Sequence, residues 1–188
     1  MTDPLSRLRA RTSVLHRQLE RCAAFSRLTR DDVSPADVTK ALSIFHAFYH
    51  GLEDELMRRL AATPFAHFYR PRRALLAVDL ATLGAPLPVA AEVCLPASAA
   101  GLLGVVYAVE GSALGGQVLG RHLCRCLGED FAGSLAYFNA FAGGTHWQLL
   151  LRVLTNKLHE ENAVDAVGDG AALVFSSLIR LATETGPA

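Results

Sequence analysis

Neither sign of charge predominates in this chain, where 18 lysines and arginines are balanced by 18 aspartates and glutamates. That balance excludes a general electrostatic attraction to nucleic acid or to an anionic membrane. Cysteine is sparse: Cys22, Cys94, Cys124 and Cys126 include no Cys-x-x-Cys spacing. Cys124 and Cys126 project from different sides of a helix, which argues against a zinc site or redox dithiol and for reduced thiols in a cytoplasmic protein. No uninterrupted apolar run reaches the roughly 18–20 residues that cross a bilayer. Met1-Thr-Asp-Pro4 leads into an arginine-rich segment rather than a leader, and Thr183-Glu-Thr-Gly-Pro-Ala188 reads as a polar tail. Strand alternation, internal repeats and low-complexity tracts are also missing.

What is abundant is apolar side chain, 51% of 188 residues. That is enough for one well-buried domain over residues 1–188 and too little chain for two. Helical punctuation recurs. Ser34-Pro35 with Asp37 gives an N-cap, a proline at the first helical position and an acidic first turn, starting a helix that runs to about Ala62. Arg70-Pro71 starts another, ended by Gly84. The longest proline-free stretch, Ala97 to Leu127, predicts one long helix stopped at Gly128. A short helix around Gly133–Phe141 follows. Gly143 and Gly144 introduce a helix over Trp147–Leu158, and Asn162 or the Gly168–Gly170 stretch precedes a final one to about Thr183. The expected fold is all-α, with about seven helices.

The long helix carries glycines at 104, 111, 115, 116 and 120, each costing about 1 kcal/mol relative to alanine. At 100° per residue, Gly104, Gly111 and Gly115 fall within about 40° of one another. Such a stripe serves either close helix–helix packing or a flat ligand lying against the backbone. The first helix bears on that choice. Leu5, Leu8, Leu15 and Leu19 make an apolar stripe with His16 at its edge, and Glu20 one turn on can hold an imidazole nitrogen. Arg9 lies on nearly the same face, where arginine can pair with an acidic ligand edge. Arg7, Arg9, Arg11, Arg17 and Arg21 concentrate basic charge on this helix, fit to meet acidic groups of a ligand or an electron-donor protein.

Four blocks carry a resemblance to a known family: Leu8-Arg-Ala-Arg-Thr-Ser-Val-Leu-His-Arg-Gln-Leu-Glu20; Phe48-Tyr-His-Gly-Leu-Glu-Asp-Glu-Leu56 with Tyr69-Arg-Pro-Arg-Arg-Ala-Leu-Leu-Ala-Val-Asp-Leu80; Glu110-Gly-Ser-Ala-Leu-Gly-Gly-Gln117; and Trp147-Gln-Leu-Leu-Leu-Arg-Val-Leu154. In this order they resemble the soluble bacterial heme oxygenases over about residues 5–180. The resemblance implies a single-domain helical bundle in which His16 ligates heme iron with Glu20 behind it. It implies Arg9 and Arg152 toward the propionates and a distal helix whose Gly111 and Gly115 press close to the iron. Heme is then substrate and cofactor, O2 the co-substrate, and a ferredoxin or NAD(P)H-dependent reductase the electron donor. The products are biliverdin, carbon monoxide and iron. Ser112 stands where the animal members carry an aspartate that holds a proton-delivering water, although bacterial members commonly look like this serine version, and Ser13 stands where the family carries a second basic residue. Both departures leave open a non-catalytic heme carrier or sensor. Tyr49 matches a distal-side tyrosine.

The other candidates are weaker. His46 and His50, four apart with Glu53 following, have metal-binding spacing but read as a surface pair. His67, His122, His146 and His159 have no visible partners, and Tyr107 and Tyr137 read as core residues.

Overall fold

Local chemistry sets the helix boundaries. In a computed structural model, which describes residues 3–141, 145–160 and 163–184, α1 (Pro4–Arg21) begins where the Asp3 carboxylate accepts the Ser6 N–H at 3.1 Å. The short α2 (Ala23–Ser26) runs into a 3-10 turn at Arg27–Thr29. Ser34 and Asp37 form a reciprocal capping box that opens α3 (Pro35–Leu60). α4 (Arg73–Thr82) ends at Gly84, whose φ of +66° suits glycine. Ser98 caps α5 (Ala99–Leu127), which stops at Gly128 with φ +93°. A 3-10 turn at Glu129–Ser134 precedes α6 (Ala136–Asn139), whose first two amides donate to the buried Asp79 carboxylate at 2.8 Å each. Burial raises the Asp79 pKa, against the pull of those two amides. α7 (His146–Leu158) and α8 (Ala163–Glu184) complete the all-α fold, with no strand among the described residues. Gly143, Gly144 and Asn162 lie outside the described residues.

The helices pack around one apolar core that includes Leu8, Leu42, Phe48, Leu76 and Leu103. α5 and α8 meet almost backbone to backbone. A Cβ on Gly104 would lie 2.0 Å from the Val167 carbonyl oxygen, and one on Gly170 would lie 1.9 Å from that of Gly101. Gly168 leaves room for the Arg11 side chain, which ties α1 to α8 through Asp165 (3.1 Å) and Asp169 (2.6 Å). Gly168 and Gly170 therefore sit inside α8 rather than ahead of it. The extended segment 85–98 crosses α3 at Gly51, where a Cβ would meet the Ala91 carbonyl at 1.8 Å.

α5 and α8 are each long and apolar enough to cross a membrane by length and composition, contrary to the expectation drawn from uninterrupted runs alone. Their few charges, Glu110, Arg121 and Arg125 in α5 and Asp165, Asp169, Arg180 and Glu184 in α8, interrupt the runs without lowering the average much. Their close pairing in the core accounts for that apolarity in this fold.

Candidate functional site

Between α1, α5 and α8 lies a cavity of about 610 Å³. Leu19, Phe25 and Leu28 line it from the first helices, Val174, Phe175 and Leu178 from α8, and Ala108, Val109, Gly115 and Leu119 from α5. Its few polar groups are Glu20, Thr29, Tyr49, Arg72, Ser112, His122 and the Tyr137 hydroxyl. A large apolar pocket with a small set of polar groups is the form of a small-molecule or cofactor site.

His16 is not itself on the cavity wall but adjoins two residues that are. Its Nδ1 is 3.3 Å from Glu20 Oε1, and its ring packs edge-on against Phe175 with centroids 5.5 Å apart. Both neighbours line the cavity, whereas the His16 side chain itself is 57% exposed. An Nδ1–H donated to Glu20 leaves Nε2 with its lone pair, the tautomer a metal-ligating imidazole needs.

The glycines of α5 divide between two tasks. Gly115 has open space where a Cβ would be, and with Gly116 it lines the cavity. Gly111 does not: a Cβ there would meet the Trp147 ring at 3.2 Å. Gly104 packs on α8 as described. The common stripe expected for a flat ligand thus splits, because helix–helix packing claims Gly104 and the Trp147 ring claims Gly111.

Ser112 lines the cavity and its hydroxyl donates to the Val109 carbonyl at 2.7 Å. Tyr49 and Ser112 both interact with the Tyr137 hydroxyl. Burial drives the pKa of Tyr49 well up and raises that of Tyr137, so both phenols keep their protons.

Behind these hydroxyls lies a buried ionic network that sequence reasoning missed. Glu110, fully buried, accepts from Arg70 Nε and Nη2 (2.8 and 2.6 Å) and Arg72 Nη1 (2.9 Å), with His146 Nε2 at 3.3 Å. Glu53, also buried, accepts from the Tyr69 hydroxyl at 2.8 Å and the Arg72 amide at 2.7 Å. The Arg72 guanidinium lies over the rings of Phe141 (4.5 Å) and Tyr49 (5.8 Å). Burial opposes the Arg72 charge, but the Glu110 carboxylate hydrogen-bonded to it holds the charge, and its pKa rises. The available signal was Glu110 itself, a lone carboxylate in the apolar run from Gly101, since a buried charge requires a partner.

The expected propionate partners are dispersed. Arg9 is exposed and engages the hydroxyl of Tyr107, which stacks on Trp147 at 5.6 Å. Arg152 lines a separate, shallower hollow with Leu151, Thr155 and Asn156. Neither is on the main cavity wall. Ser13 donates to the Ala10 carbonyl at 2.9 Å. The histidines also need correction. His46 is buried, 1% exposed with no partner for Nδ1, rather than half of a surface pair. His146 joins Glu110, and His122 has Asp31, Arg125 and Cys126 around it.

A heme oxygenase family profile matches residues 3–184. The chain belongs to the heme oxygenase family. A heme oxygenase of Xanthomonas campestris pv. campestris (strain 8004) is 34% identical over 146 residues, covering 76% of this chain and 87% of that one. The fold is similar to the crystal structure of heme oxygenase-1 from the cyanobacterium Synechocystis sp. PCC6803 in complex with heme. That likeness has a TM-score of 0.72 at 18% identity, over 98% of this chain and 93% of that one. This heme oxygenase is accordingly an oxidoreductase of the heme-degrading kind. Its cavity offers the apolar walls that a porphyrin needs, with a carboxylate-held imidazole adjoining them.

Proposed function

We propose that this heme oxygenase takes heme into the cavity, where His16 would hold the iron, and cleaves it to biliverdin, carbon monoxide and iron. O2 is the co-substrate, and a ferredoxin or NAD(P)H-dependent reductase supplies electrons in the cytoplasm. The observation that carries this reading is the apolar cavity with the Glu20-held His16 adjoining its wall and side-chain-free Gly115 on its α5 side. Bound heme supplies both the iron that activates oxygen and the ring carbon that is oxidised.

The protein's part is positioning and proton supply. Glu20 fixes the His16 tautomer and raises its basicity. Gly115 and Gly116 let the α5 backbone approach the ring, and Gly111 contributes by seating α5 on Trp147. Ser112, Tyr49 and Tyr137 form the hydroxyl set that holds a proton-delivering water. The phenols serve as donors because burial keeps them protonated. Arg72, fixed by Glu110, gives this set a constant positive neighbour without being consumed as a propionate partner. Arg9 and Arg152, both exposed, would reach propionates at the open edge only by leaving the Tyr107 hydroxyl and the separate hollow, respectively.

The test is hemin titration followed by reductant under oxygen. Wild type should give a Soret band that decays into broad red biliverdin absorption. His16→Ala should bind heme weakly, recover part of the Soret spectrum with added imidazole, and lose turnover. A His16→Ala variant with wild-type spectrum and activity would overturn the ligand assignment. A stable Soret band in wild type, with no decay, would establish the carrier or sensor reading instead.

A further inference from the structure

At the rim of the cavity, His122 and Cys126 lie one helical turn apart on α5, with Cys126 Sγ 3.7 Å from His122 Nε2. Asp31, in the loop that follows the Arg27–Thr29 turn, comes from a different part of the chain. Asp31, His122 and Cys126 each bring one donor atom within 4.8 Å of the other two. We propose that these three residues bind a divalent transition-metal ion of the zinc type, separate from the heme iron.

The spacing fits the chemistry. With Zn–S near 2.3 Å and Zn–N near 2.0–2.1 Å at a tetrahedral angle, sulfur and nitrogen ligands stand about 3.6 Å apart. The pair on α5 already has that separation. The Arg30 carbonyl oxygen, 3.1 Å from His122 Nε2, is placed to act as a fourth donor or to hold a water in that position. Sulfur, imidazole and a single carboxylate select zinc, cobalt or nickel over calcium or magnesium, which prefer all-oxygen shells. His122 and Cys126 are half-buried, and Asp31 is exposed and can adjust.

The metal-free arrangement already carries a positive group at this place. Arg125 Nη2 lies 3.2 Å from Asp31 Oδ1 and 3.0 Å from His122 Nδ1, so a guanidinium bridges two of the three ligands. The Arg125 side chain is 68% exposed and can swing into solvent when an ion takes its place. Because His122 lines the cavity, an ion here would clamp the segment ahead of α3 to the last turns of α5 and stiffen that edge.

The experiment is Co2+ titration of the full-length, heme-free chain, followed by displacement with Zn2+. The expected result is a thiolate-to-cobalt charge-transfer band that zinc abolishes and that Cys126→Ser lacks. His122→Gln and Asp31→Asn should each weaken binding about tenfold or more. Zn2+ should also raise the melting temperature of wild type and leave Cys126→Ser unmoved. Metal-free circular dichroism and melting establish that each variant folds. The proposal is overturned if no such band forms, or if it persists in Cys126→Ser, which would assign it to Cys22, Cys94 or Cys124. Equal zinc stabilisation of every variant would overturn it as well.

Discussion

Gly104→Ala and Gly115→Ala make the same chemical change on one helix and should move stability in opposite directions. Either substitution raises intrinsic helix propensity by about 1 kcal/mol. At Gly115 nothing lies within 4 Å of the new methyl, so the gain should be kept. At Gly104 the methyl would sit 2.0 Å from the Val167 carbonyl oxygen and 2.8 Å from its carbon, where about 3.0 Å is the nearest approach real Cβ atoms make. The obstacle is α8 backbone, which cannot rotate away as a side chain can. α8 must therefore retreat by about 1 Å, which also loosens the contacts beside it. Overpacking of this kind costs about 1–3 kcal/mol or somewhat more. Rigid backbone on both sides puts Gly104 at the upper end, a net loss of about 2 kcal/mol after the propensity gain. At about 2–4 °C per kcal/mol for a chain of this size, Gly104→Ala should melt about 4–8 °C below wild type, and Gly115→Ala about 2–4 °C above it. The assay is thermal unfolding of the heme-free protein by circular dichroism. A Gly104→Ala variant that melts at or above wild type would refute the assignment of Gly104 to helix packing.

Ser112→Ala should leave heme affinity unchanged and slow biliverdin formation moderately, since Tyr49 and Tyr137 remain to hold water; single-turnover absorption with separation of product isomers checks this. Glu110→Leu should destabilise by about 3–5 kcal/mol, because Arg70 and buried Arg72 lose their counter-charge, whereas Glu110→Gln should cost less; denaturant unfolding separates the two. His46 should make the fold acid-sensitive. Burial, then His50 and Arg73, hold its pKa down against Glu53, so the unfolded chain takes up a proton that the folded one resists. Its contribution is intact above the unfolded value of about 6.5 and is lost as pH falls below it. Melting curves through that range should be flatter for His46→Leu than for wild type.

Elements with local chemistry were readable in the sequence. The Ser34–Asp37 cap, the Gly84 and Gly128 stops and the long α5 follow from side chains acting on neighbouring backbone. The His16–Glu20 pair was readable for the same reason, since one helical turn brings the two together. Readings that depended on what comes across from another helix were less secure. Gly104, Gly111 and Gly115 look alike on a helical projection, yet α8, Trp147 and open cavity face them respectively. The Gly168–Gly170 stretch read as a helix boundary because its partners, Arg11 and Gly101, are remote in sequence. The Glu110 network joins residues 38 to 40 positions apart, and Asp31 meets His122 and Cys126 across more than 90. No local periodicity encodes such meetings.

The long helix α5 is held like a cantilever. From Gly101 to Glu110 all but Tyr107 are buried, and Glu110 is bolted to Arg70 and Arg72. Beyond that bolt, burial drops to Gly120 and Leu123, and four glycines follow between 111 and 120. The second half, with fewer buried residues and little side-chain stiffening, forms most of the α5 wall of the cavity, Ala108 and Val109 adding the rest. Local opening free energy should therefore fall across Glu110, with amides of the first half exchanging only on global unfolding and those of the second half sooner. Such an arm can lift to admit a large rigid disc and settle on it afterwards, while the anchored half keeps the core and the Glu110 network undisturbed.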